Sequence, residues 1–132
     1  MRKEFLLPEE DMDYLEGYHG NWETIIVNSQ RWLILEDYPV LDGYNVENVK
    51  LALRIDSGYP NSQIDMVYFF PHLSRTDNKS IGALTNQPLD NIIFQRWSRH
   101  RTSQNPWRPG FDNLESHLML VNNWLEREFN IR

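Results

Sequence analysis

Val49-Lys50-Leu51-Ala52-Leu53-Arg54-Ile55, followed by Asp56-Ser57-Gly58-Tyr59-Pro60, is the stretch that decides the fold. Its branched apolar residues fall at every second position, Val49, Leu51, Leu53 and Ile55, between Lys50, Ala52 and Arg54. Successive side chains of a strand point to opposite faces, so this spacing predicts a strand with one buried face. Gly58 and Pro60 end it. Upstream, Trp22 to Val27 is rich in β-branched residues, Asn28-Ser29-Gln30 supplies a turn, and Arg31 to Glu36 returns as a second strand, which together predict a hairpin. Downstream, Ile64 to Phe70 reads as a further strand that Pro71 closes. Four strands in succession make an antiparallel meander.

Helices flank the meander. Pro8-Glu9-Glu10-Asp11 has the form of a helix start. Proline suits the first turn because its missing N–H would have no intrahelical partner there, and carboxylates favour the positive end of the helix dipole. Gly17 and Gly20 keep this helix short. At the other end of the chain, Leu114, Leu118, Val121, Leu125 and Phe129 form one stripe at helical spacing, widened by His117, Leu120 and Trp124. Asp112 with Glu115 three positions on predicts a capping box at its start. Between sheet and helix, His72 to Asp90 is polar and aperiodic and reads as a long functional loop. Asn91 to Trp97 reads as a short extended piece. The expected fold is α+β: an N-terminal helix, a four-stranded antiparallel meander, an irregular segment and a C-terminal helix, in one domain spanning 1–132.

Composition excludes several function classes. The chain has 132 residues, enough for one core and too few for two. Its net charge of −6 argues against a general nucleic-acid binder, which needs clustered cations to neutralise phosphates. Arg96, Arg99, Arg101 and Arg108 nevertheless crowd together, and a basic patch on an acidic domain points to a particular anionic partner. No apolar run approaches the ~20 residues of a membrane span, and the first residues lack the apolar stretch of a secretory signal, so a cytoplasmic protein without membrane contact is expected. There is no cysteine, which removes disulfides, zinc thiolates and cysteine nucleophiles. The four histidines are scattered without metal-ligand spacing, and no phosphate or dinucleotide fingerprint is present, so neither a metal nor a cofactor is expected.

Four short pieces in a fixed order carry a resemblance: Tyr59-Pro60, then Asp65-Met66 before the aromatic strand, then Trp97-Ser98-Arg99-His100, then Trp107-Arg108-Pro109-Gly110. The set resembles a divergent prokaryotic branch of the ubiquitin-conjugating enzyme superfamily, across nearly the whole chain. Pro71-His72-Leu73 stands where the superfamily carries a His-Pro-Asn motif, with the order altered and the Asn missing. The resemblance implies the ubiquitin-conjugating fold and a place in the transfer of a ubiquitin-like protein, with a ThiF-like activating enzyme as partner. That superfamily holds its cargo as a thioester on one cysteine, which this chain lacks.

Counting back from Trp107 places the missing cysteine near Arg99, a window that covers Ser98 through His100. Ser98 is the one nucleophile of the usual type within it. On an extended backbone Ser98 and His100 share a face, and a serine hydroxyl needs such a base to take its proton. Ser98 and His100 are therefore the expected catalytic pair, with Asp65 to orient His100. Arg96, Trp97, Arg99, Arg101 and Trp107 are the expected substrate-binding residues, the arginines suited to a carboxylate or acyl phosphate. His117 is read as a buried, hydrogen-bonded core residue, and His72 as structural. Two functional expectations follow: a cysteine-free acyl carrier that uses a serine oxyester, or an inactive adaptor that binds a ubiquitin-like protein or its activating enzyme. A third is a structural subunit of a larger complex with no ubiquitin-like contact.

Overall fold

A computed structural model describes residues 1–131. In chain order the elements are α1 (Glu9–Glu16), β1 (Trp22–Val27), β2 (Gln30–Pro39), β3 (Asn48–Ile55), β4 (Val67–Phe70), β5 (Leu84–Leu89), β6 (Ile92–Trp97) and α2 (Leu114–Ile131). The strands form one antiparallel sheet in the order β1-β2-β3-β4-β6-β5.

The sheet therefore has six strands where four were expected. The segment read as a long loop contains β5, and the extended piece after it is β6. Leu84-Thr85-Asn86-Gln87-Pro88-Leu89 shows little apolar alternation because it is an edge strand, where a proline and polar residues are tolerated. Asp90 and Asn91 have φ of 56° and 66°, the left-handed pair of a tight hairpin turn. Asn28 and Ser29 turn β1 into β2 the same way, with φ of 51° and 65°. The fourth strand is shorter than expected. Met66 has φ of 59°, so Asp65 and Met66 lie before the strand rather than on it.

Alternation sorts the sheet's two faces. Leu33, Leu35, Leu51, Leu53, Val67, Phe69 and Trp97 belong to one buried cluster with Leu15 of α1 and Leu114, Leu118, Val121 and Leu125 of α2. The opposite face holds a second cluster of Ile25, Trp32, Ile34, Ala52, Tyr68, Leu89 and Phe94, to which no helix contributes. The sheet curls over it instead. Arg2 lies 2.6 Å from Glu23 of β1 and 2.6 Å from Asp90 in the β5–β6 turn, although β1 and β5 are opposite edges of the sheet. Strand twist produces such curvature, and a register shift between Leu35 and Tyr38 adds to it.

Asp11 ties the helices to the Tyr59-Pro60 turn. Its buried carboxylate, only 2% exposed, accepts the Leu114 N–H at 3.1 Å and the Tyr59 hydroxyl at 2.5 Å. One of the N–H groups left without an intrahelical partner at the start of α2 is thus satisfied from another helix. The capping box is shifted by one residue from the expected Asp112 and Glu115. Asn113 Oδ1 accepts the Ser116 N–H at 2.9 Å, and Ser116 Oγ accepts the Asn113 N–H at 2.9 Å. Asp112 is occupied with the preceding loop, accepting the Arg108 N–H at 2.7 Å.

Candidate functional site

β6 ends at Trp97, and residues 98–113 run from there to the start of α2. Trp97 is fully buried (0% exposed) and packs edge-on against Phe69, with ring centroids 5.4 Å apart. Its indole N–H donates to Gln95 Oε1 at 2.8 Å, and Gln95 also clasps the backbone of Leu73 through both its N–H and its carbonyl. Trp97 has no surface to offer a substrate. It anchors the end of β6, and the following residues are positioned from that anchor.

Ser98 is half-buried, with its backbone N–H donating to the Ala83 carbonyl at 3.1 Å. His100 is the exposed member of the group, its side chain 59% accessible. Its Nδ1 lies 3.0 Å from Asp65 Oδ1 and 3.2 Å from Asp65 Oδ2. A carboxylate only accepts, so Nδ1 carries the proton in this contact, and in the neutral ring the lone pair is then on Nε2. Ser98 and His100 line a common groove of about 410 Å³ beside α2, together with Trp124 and Arg127. Among the described residues no hydrogen bond joins the Ser98 hydroxyl to the His100 ring.

The four arginines do not form one patch. Tyr68, opposite Arg96 across the ladder, belongs to the second cluster, whereas Trp97 belongs to the main core, so Arg96 faces away from α2. Arg99 turns toward α2, donates to the Gly82 carbonyl at 3.1 Å and pairs with Glu128 at 3.2 Å. The Arg101 side chain is largely covered, 3.7 Å from Asp112, with its guanidinium over the Trp107 ring. Arg108 is exposed and lies over Phe111. Strand alternation separates Arg96 from the others, and internal carboxylates hold Arg99 and Arg101. Trp107 is half-buried and donates its indole N–H to the Pro60 carbonyl at 2.9 Å, bracing the Tyr59-Pro60 turn.

Two residues of the groove were not expected. Glu128 is 1% exposed and occupies the apolar stripe of α2, seven residues beyond Val121. An acid at a core-facing helical position demands a buried cation, and that signal was present in the sequence. Arg127 lines the groove at the surface, and among the described residues it forms no ion pair.

His117 is a core residue as expected. It is fully buried, and its Nε2 donates to the Met66 carbonyl at 2.9 Å. Burial, more than any neighbour, pulls its pKa down to about 4, so it stays neutral near pH 7. His72 is exposed, and its carbonyl accepts from Asn45 Nδ2. Among the described residues there is no cluster of three or more His, Asp or Glu that could hold a metal ion. No described helix is long and apolar enough to cross a membrane.

A family model described as prokaryotic E2 family E matches residues 7–128. The chain belongs to prokaryotic E2 family E. No curated protein and no solved structure matches it. Membership in prokaryotic E2 family E agrees with the helix-flanked antiparallel sheet and points to a role in the conjugation of ubiquitin-like proteins. This member of prokaryotic E2 family E has no cysteine for a thioester, and the groove beside α2 brings together Ser98, His100 and, through His100, Asp65.

Proposed function

We propose that this chain is an acyl carrier of the E2 type in which Ser98 holds the C-terminus of a ubiquitin-like protein as an oxyester. The observation that carries the reading is the contact of His100 Nδ1 with Asp65, which leaves Nε2 free to act as a base on the rim of the groove that Ser98 lines. The incoming tail is an activated acyl group, supplied as an adenylate or thioester by a ThiF-like activating enzyme. Ser98 Oγ attacks the acyl carbon and its proton passes to His100 Nε2. The bond from that carbon to the phosphate or sulfur breaks, and the leaving group departs with the electron pair. In the second step an acceptor amine attacks the ester. Before this step the departed leaving group carries off the proton that His100 took from Ser98, so Nε2 takes a proton from the attacking amine and passes it to Ser98 Oγ as the C–Oγ bond breaks. Asp65 holds the imidazole in the required tautomer and stabilises its charged form. Rotation of the Ser98 or His100 side chain has to close the contact between them, and catalytic hydrogen bonds of this kind commonly tighten once substrate is bound.

The test combines the chain with a matching activating enzyme, its ubiquitin-like partner and ATP, followed by intact-mass measurement. The expected product is a one-to-one adduct that hydroxylamine cleaves and thiols do not. A thiol-labile adduct, or none while the activating enzyme is demonstrably turning over, contradicts the carrier.

A second reading, an adaptor that binds a ubiquitin-like protein without chemistry, is favoured by one observation. Arg99 and Arg101, expected to grip the tail, are engaged with Glu128 and Asp112. Binding of the ubiquitin-like protein without any adduct in the same mixture is its signature.

A further inference from the structure

A cavity of about 470 Å³ opens where the last turn of α1, the end of β2 and the middle of α2 meet. It shares no lining residue with the Ser98 groove. Its walls are Tyr14, Tyr18, His19, Tyr38, Pro39 and Asn122. Three of these side chains are locked. The Tyr18 hydroxyl donates to the Glu36 carbonyl at 2.5 Å, and the Tyr38 hydroxyl to Asn122 Oδ1 at 2.7 Å. His19 Nε2 meets the Asp37 carbonyl at 2.9 Å, and its ring lies 4.5 Å from that of Tyr18. With their protons committed, Tyr18 and Tyr38 offer ring faces and oxygen lone pairs, which are electron-rich.

The surroundings have the same sign. Burial raises the pKa of all three tyrosines. Acidic neighbours raise it further at two of them, Asp37 and Glu36 beside Tyr18 and Glu115 beside Tyr14, while at Tyr38 the hydrogen bond to Asn122 lowers it. No lysine or arginine offsets this at any of the three. The last turn of α1 has no basic residue, and its carbonyls are the negative end of the helix dipole. Among the described residues, six other aromatic rings carry one of the protein's own cations. Lys3 lies over Trp22, Arg31 over Phe5, Arg75 over Phe129, Arg99 over Trp97, Arg101 over Trp107 and Arg108 over Phe111. Among the described residues, Tyr14, Tyr18 and Tyr38 have no such cover.

We propose that this cleft receives an arginine side chain presented by a partner protein, its guanidinium held among Tyr14, Tyr18 and Tyr38. A guanidinium is planar and weakly hydrated, stacks on aromatic faces, and carries N–H donors for the phenol oxygens. The preformed walls lower the ordering cost of binding. The site is independent of the chemistry at Ser98.

The test uses the full chain and a defined probe, Nα-acetyl-arginine N-methylamide, followed by NMR of the tyrosine rings and the Asn122 side-chain amide. The arginine probe is expected to shift these resonances and to bind at least about fivefold more tightly than its neutral citrulline isostere. Tyr14→Leu is expected to weaken binding by a similar factor while the rest of the spectrum is retained. Should that variant unfold, His19→Ala at an exposed position gives the same readout. Equal binding of the citrulline probe, equal binding of the lysine analogue, shifts confined to other surfaces, or no shift at all overturns the proposal.

Discussion

His100 Nδ1 lies 3.0 Å from Asp65 Oδ1 across 35 residues of sequence, at the rim of the groove that Ser98 also lines. The contact exists because β4 and β6 are neighbours, with Val67 opposite Trp97, so the residues just outside each strand meet. Asp65→Asn leaves the sheet untouched but replaces a pure acceptor by an amide that no longer stabilises the charged imidazole. Adduct formation on the chain is expected to slow by roughly 100-fold, and His100→Ala by at least as much. Stopped reactions read by intact mass give both rates. Unchanged rates in both variants remove the base from the mechanism.

His117 makes stability pH-dependent. Its folded pKa of about 4 lies below the ordinary 6.5, so between these values the unfolded chain takes up a proton more readily than the folded one. The contribution of the neutral ring is complete above about pH 6.5 and is lost as the pH falls toward 4. It amounts to on the order of 3 kcal/mol between pH 7 and pH 4. Urea titrations of the parent and of His117→Gln at the two pH values should differ by that slope, the variant losing less stability on acidification.

Asp11→Ala strips an acceptor from both the Leu114 N–H and the Tyr59 hydroxyl. The expected loss is about 2–4 kcal/mol, since a buried N–H and a half-buried hydroxyl are left without that partner. Thermal unfolding measures it. A cost under about 1 kcal/mol would show that these donors find other partners.

Arg99→Met removes the guanidinium that pairs with the buried Glu128. Destabilisation on the order of 3 kcal/mol is expected. Adding Glu128→Gln should recover part of it, because the buried charge is then gone. Equilibrium unfolding of the single and double variants gives the coupling.

The elements that build the main core were legible in the sequence. Val49 to Ile55 alternates because one face packs under α2, and Leu114, Leu118, Val121 and Leu125 repeat at helical spacing for the same reason. The pair of edge hairpin strands was not. β5 buries little beyond Leu89, so burial imposes no pattern on Leu84 to Pro88. The second cluster also escaped notice, since it is covered by curvature of the sheet and not by a helix with its own periodicity. At the site, Asp65 and His100 were both candidates, but the pairing of β4 with β6 that brings them together was not legible, because β6 was read only as a short extended piece. The inward turn of Arg99 and Arg101 depends on Glu128 and Asp112; Glu128 in the apolar stripe signals a buried cation, but local spacing does not say which arginine supplies it.

The most direct measurement is to locate the attachment point by proteolysis and tandem mass spectrometry of the chain after reaction with its activating enzyme and ubiquitin-like partner. The remnant of the tail is expected on Ser98, and Ser98→Ala is expected to carry none. A remnant on any other residue, or an undiminished adduct on the Ser98→Ala chain, contradicts a serine carrier.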